Sequence, residues 1–153
     1  MHFPRRRVLK SLVAAAVGTI TAALGLWKPR PTRAAEWPRD AYGAKTVTEA
    51  LQNLYGSSET VASFAVKVRA PTRVESGAVV PLSVSADLSD VRAISILVEK
   101  NVPPLAAHIN LSNAVAFFAV NVRMTSTSDI HVVVNAGGKL YTAKQNVEVA
   151  VGT

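Results

Sequence analysis

Few side chains in this sequence could do chemistry. The 153 residues contain no cysteine and three histidines: His2 lies in the N-terminal segment, while His108 and His131 sit inside strand-like runs. Without a thiolate a blue-copper centre of the His₂Cys kind cannot be built, and a histidine inside a strand is more often packed or at the surface than a ligand. Asp87 and Asp90 stand three apart in "DLSD", which reads as a turn whose side chains bond the local backbone. Gly137 and Gly138 lack the Lys-Ser/Thr and the helix of a phosphate loop and read as a hairpin turn. No serine, histidine and acid stand out as a triad, although residues that meet only in space escape a reading by spacing. The residues by themselves predict no metal, no cofactor and no active site.

Charge decides where the chain is functionally marked. All ten acidic residues and ten of the seventeen basic ones follow Ala34, whereas the first 34 residues hold seven Lys or Arg and no acid. The formal charge of +7 therefore belongs to the N-terminal segment. Nucleic-acid binding needs clustered cations on the folded domain, and a remainder of ten cations and ten anions supplies none. The segment itself has a basic start, an uncharged stretch over Ser11–Trp27, and a Pro/Arg piece ending in Ala34-Ala35. This is the layout of an export signal. Arg5, Arg6, Leu9 and Lys10 fit the twin-arginine pattern of two arginines, a spacer, two apolar residues and lysine, with Pro4 where Ser or Thr is usual. Seventeen uncharged residues with two glycines are short and weakly apolar for a span. The expectation is a signal over residues 1–35, a cleaved domain over residues 36–153 in the periplasm, and no stable membrane anchor.

The elements that would position any site follow from periodicity. Val47, Ala50, Leu51 and Leu54 keep the i, i+3, i+4, i+7 spacing of a helix, with Thr46 and Glu49 as a capping box and Gly56 as the stop. After Gly56 the period becomes two. Strands are predicted over 64–69, 80–84, 93–99, 106–111, 115–124, 130–134, 139–143 and 147–151, punctuated by Pro71, Gly77, Pro103-Pro104 and "NAGG". Seven or eight short strands and one N-terminal helix predict an all-β antiparallel sandwich, with the helix covering one opening of its core.

Five stretches then carry a family resemblance in order: "WPRDAYGAKTVTEALQNLYG", "VRAPTRVESGAVVPLSV", "ISILVEKNVPPLAAHINL", "VNVRMTSTSDIHVVV" and "GGKLYTAKQNVEVAVG". The most specific are P-x-x-x-E-x-G-x-x-V-P over Pro71–Pro81 and L-V-E-K-N-x-P-P-L-A-A over Leu97–Ala107. They resemble SoxY, the carrier subunit of the periplasmic sulfur-oxidation (Sox) system. That resemblance implies an immunoglobulin-like sandwich, a SoxZ-like partner in a heterodimer, contact with other Sox enzymes and twin-arginine export.

The resemblance also implies a flexible Gly-Gly-Cys-Gly-Gly arm after the last strand, whose thiolate carries thiosulfate-derived sulfur. Here "VEVAVGT" aligns with the strand and its first glycine: Val151, Gly152 and Thr153 stand where the arm begins, and no sulfur attachment residue is found. A five-residue arm reaches about 16 Å and two residues about 7 Å. Three readings follow. The chain is a cysteine-less SoxY-like scaffold, of the kind also associated with quinoprotein dehydrogenases; or a carrier whose recorded sequence has lost its last residues; or an unrelated exported sandwich that binds a partner.

Overall fold

The computed structural model describes residues 38–150. Arg5, Arg6, Leu9 and Lys10, and Val151, Gly152 and Thr153, lie outside them, as does the whole segment 1–35. Two helices come first, α1 (Arg39–Gly43) and α2 (Val47–Tyr55). Nine strands follow: β1 (Val61–Ala62), β2 (Val66–Arg69), β3 (Arg73–Val74), β4 (Val80–Ala86), β5 (Val91–Val98), β6 (Leu105–Asn110), β7 (Phe117–Val122), β8 (Ser128–Ala136) and β9 (Lys139–Val149).

The helix read from the sequence is α2. Thr46 Oγ1 accepts from the Glu49 amide at 3.2 Å, and Glu49 Oε2 accepts from the amide of Lys45 at 2.9 Å, one residue earlier than the usual reciprocal bond of a capping box. Gly56, at φ 71°, closes the helix in the left-handed region that suits glycine. The short α1 ahead of it has only Ala41 buried and too few residues for a periodic signature.

The strands form two sheets. The large one runs β1-β9-β8-β5-β6, with β3 also pairing β9; the small one runs β2-β4-β7. Between them lies a core of aliphatic side chains that includes Val80, Leu82 and Val84 of β4, Ile94, Ile96 and Val98 of β5, and Ile130, Val132 and Val134 of β8. These alternate positions share one face of each strand, as the two-residue period requires. The fold is thus a mostly antiparallel β-sandwich, with two short parallel pairings, β1 and β3, along the far side of β9.

The helices lie elsewhere than the sequence suggests. Instead of plugging an opening of the sandwich, Ala41, Ala44, Ala50 and Leu51 pack on Leu97, Leu105, Val133 and Leu140. Those four side chains point from β5, β6, β8 and β9 to the outer face of the large sheet. The molecule therefore has three layers, and β5 is buried without interruption from Ala93 to Val98. A strand covered on both faces loses its alternation, which is why "AISILV" could show a strand but not what covers its second face.

A second difference concerns the end of the chain. The predicted pieces 139–143 and 147–151 are not separate: β9 runs unbroken from Lys139 to Val149, because Lys144, Gln145 and Asn146 continue the ladder opposite His131, Ile130 and Asp129. Two of these polar side chains bond sideways rather than breaking the strand: Gln145 Nε2 donates to the Ala70 carbonyl at 2.9 Å and Asn146 Nδ2 to Asp129 Oδ1 at 2.6 Å. Gly137 and Gly138, at φ 56° and 79°, make the two-residue turn that joins β8 to β9.

Docking of α2 can be read from stability. Leu51 is buried against the sheet while Leu54 is only half-buried. Leu51→Ala should lower the unfolding free energy by about 2–5 kcal/mol and Leu54→Ala by less, measured from denaturant midpoints at unchanged m-value; a loss below about 0.5 kcal/mol for Leu51→Ala would mean that the helix is not packed.

Candidate functional site

The last strand is held along its whole length. On one side β9 pairs with β8 from Lys139 to Val147, and on the other with β1 at its start and β3 at its end. Beyond Val147 the ladder with β8 is replaced by one side chain: Thr127 Oγ1 accepts from the Val149 amide at 2.9 Å and donates to the Val149 carbonyl at 3.4 Å. Across the strand, Glu148 N–H donates to the Thr72 carbonyl at 2.9 Å and Ala150 N–H to the Val74 carbonyl at 2.8 Å. The strand end is clamped from both edges.

Gly77 brings a third segment to the same place. Its carbonyl accepts from the Met124 amide at 2.7 Å. A Cβ on Gly77 would lie 2.0 Å from the Met124 carbonyl oxygen and 3.3 Å from Val149 Cγ1, so glycine is needed for close approach. Met124 is buried in the sandwich core, and the residues beside it are tied to the β5–β6 loop. Asn101 Nδ2 donates to the Arg123 carbonyl at 2.6 Å, while its Oδ1 accepts from Thr125 N and Thr125 Oγ1, both at 3.1 Å. Lys100 N–H adds a bond to the buried Ser128 Oγ at 3.0 Å. Run 71–81 thus flanks the end of β9, and run 97–107 is tied to the connection that carries Thr127.

This end of the molecule can present a segment, but its own groups are spent on structure. The Thr127 hydroxyl bonds the Val149 backbone, and the Met124 thioether lies in the core. Among the described residues no three His, Asp or Glu side chains gather as metal ligands. His131 lies along β8, its Nε2 2.9 Å from Glu99 Oε2. Asp90 takes positive φ at an exposed turn and pairs with Arg92 at 2.8 Å, while Asp87 donates its amide to the Ala65 carbonyl.

One association was invisible to spacing. Ser95 of β5 faces His108 of β6 across the ladder. The Ser95 hydroxyl lies 2.8 Å from His108 Nδ1 and 2.5 Å from the Tyr55 hydroxyl at the end of α2. Burial, opposed by a hydrogen bond with Asn110, lowers the pKa of His108; burial raises that of Tyr55 against its bond with Ser95. Gly77 and Asn101 do stand inside the two specific runs, but nothing in the pattern says what they touch. Ser95, Thr127 and Tyr55 carry no signal of their own.

Residues 51–153 match the model of a family described as sulfur oxidation protein SoxY. The chain belongs to the SoxY family. It is similar to the sulfur carrier protein SoxY of Chlorobium limicola f thiosulfatophilum at 32% identity and TM-score 0.64, over 74% of this chain and 100% of that one. It also resembles a superoxide reductase (neelaredoxin) of Ignicoccus hospitalis at 13% identity and TM-score 0.50, over 56% of this chain and 79% of that one, a likeness of fold alone. No curated protein matches it. Membership of a sulfur carrier family removes the reading as an unrelated sandwich.

The clamp makes a local prediction. Gly77→Ala must displace the Met124 backbone or the end of β9 and should cost about 1–3 kcal/mol. Thr127→Val should cost about 1 kcal/mol. Both should speed hydrogen exchange at the amides of Val149 and Ala150 more than in β4, and equal protection in all three proteins would show that the strand end does not depend on these contacts.

Proposed function

We propose that this chain is the SoxY-type subunit of a periplasmic sulfur-oxidation carrier complex. In this reading residues 1–35 are a twin-arginine signal recognised through Arg5, Arg6, Leu9 and Lys10, residues 36–153 are the exported domain, and a SoxZ-like subunit completes a heterodimer. The clamped end of β9 is the observation that carries the reading. A segment continuing from Ala150 leaves from a point fixed by Thr127, Val74 and Gly77, which is what a mobile carrier arm needs at its base. Apolar side chains that stay in water support a partner: Val102 is 78% exposed and Val79 60%, and Phe64, Val115 and Phe117 are exposed as well.

The covalent step lies outside what these 153 residues can do. They contain no thiol. A thioether has no proton to lose and cannot exchange with a persulfide, and a threonine hydroxyl without an activating base is a poor nucleophile at neutral pH. The polypeptide of this sequence therefore acts as scaffold and docking subunit, and sulfur transfer requires a cysteine supplied beyond or beside it.

Two measurements test the reading together. Co-expressed with a SoxZ-like protein, the chain should co-purify as a stable complex; separation of the two at micromolar concentration would remove the partner. After incubation with thiosulfate and the cytochrome that performs conjugation, intact mass should show no sulfur adduct on this chain, whereas Gly-Gly-Cys-Gly-Gly appended after Val151 should restore one. An adduct on the unextended chain would overturn the scaffold role.

A further inference from the structure

Both tyrosines of the helical layer converge on one residue of β6, the end strand of the large sheet. Tyr42, between α1 and the sheet, hydrogen-bonds to the backbone of His108. Tyr55 reaches the same residue's ring through Ser95, and the rings of Tyr55 and His108 meet edge to face with centroids 6.1 Å apart. Ser95 is fully buried between α2 and the sheet. The groups that bond or stack against His108 are uncharged at neutral pH: Tyr55 from α2, Ser95 from β5 and Asn110 from its own strand, with Tyr42 of α1 on its backbone. No carboxylate stands among them to receive a proton's charge.

The hydrogen bonds have one consistent direction when the ring is neutral. With its proton on Nε2 the neutral ring offers Nδ1 as an acceptor, the arrangement in which both hydroxyls of the chain find partners. Ser95 then donates to Nδ1, and its oxygen is free to accept from the Tyr55 hydroxyl. A second proton on the ring makes Nδ1 a donor. Ser95 must then accept from it, and only one of the Ser95 and Tyr55 hydroxyl protons can still be received along this chain, so the other loses its partner there, which is costly. The new cation also gains no counter-charge.

We infer that His108 is an acid-sensitive latch: the neutral ring fastens the helical layer to the large sheet through Ser95 and Tyr55, and the protonated ring releases α2. His131, the other described histidine, lies 2.9 Å from the Glu99 carboxylate and bonds that side chain rather than the helical layer. Tyr55 also walls a cleft of about 560 Å³ with Glu59, Asn135 and Lys139, so opening the latch reshapes that cleft as well. The sign follows from burial. A folded-state pKa below the ordinary value near 6.5 means that the folded chain binds the proton later than the unfolded one. The latch is therefore fully closed above about pH 6.5 and is lost as pH falls through the lower, folded value.

Hydrogen exchange on the full chain, corrected for intrinsic rates, reads the latch directly. Between about pH 7.5 and about pH 5, amides of α2 should lose protection relative to those of β8. His108→Gln should abolish this dependence, Ser95→Ala should leave α2 weakly protected at both pH values, and His131→Gln should keep the wild-type response. An unchanged ratio in the wild type, or the same loss in His108→Gln, would overturn the latch. Should the His108 variant fail to fold, the ring of His108 can be titrated by NMR in the unsubstituted chain. Its midpoint must coincide with that of the loss in α2, and a separation of the two would overturn the proposal equally.

Discussion

Water reaches neither face of the middle of the large sheet. The small sheet covers one side with Val80, Leu82 and Val84, and α1 and α2 cover the other with Ala41, Ala44, Ala50 and Leu51. Nearly every other feature depends on this double cover. It explains the unbroken burial of β5, the need for small alanines where the helices approach closely, and the choice of Val133 and Leu140 at positions that would face solvent in a two-layer sandwich. It also makes the helical layer part of the fold rather than an appendage.

The same arrangement turns the last strand into an inner one. A C-terminal strand is often an edge, exposed to fraying on one side. Here β9 has β8 along one side and the short β1 and β3 along the other, and where pairing with β8 stops, the Thr127 side chain substitutes for it. Three segments tighten the end: the β3 stretch, the glycine turn at Gly77, and the β7–β8 connection that Asn101 ties to the β5–β6 loop. Of the two stretches that most resemble the SoxY family, one flanks this end through Thr72, Val74 and Gly77, and the other bridges through Asn101 to the connection beside it.

Polar groups inside the outer interface answer to a different demand. An aliphatic contact between helix and sheet is indifferent to pH, but the buried Ser95 must find partners, and the half-buried Tyr55 and His108 supply them. Satisfied, the chain of hydrogen bonds adds direction to an interface otherwise held by alanine and leucine. It is also the part of that interface whose bonding can be reversed by one proton.

What the sequence determined by itself was local. Period and punctuation were enough for α2 with its caps, for the hairpin turn at Gly137-Gly138 and for most strands, because the face a side chain takes and the dihedrals a glycine permits are properties of neighbours in the chain. The run of polar residues at 144–146 hid the continuity of β9, since a strand whose side chains bond sideways leaves no apolar alternation there. Tertiary structure alone decided that the helices lie on the outer face of the sheet, that Gly77 touches Met124 and Val149, and that Ser95 stands between Tyr55 and His108. The partners in these contacts are 40, 13 and more residues apart, and spacing records which way a side chain points, not which distant segment arrives to cover it.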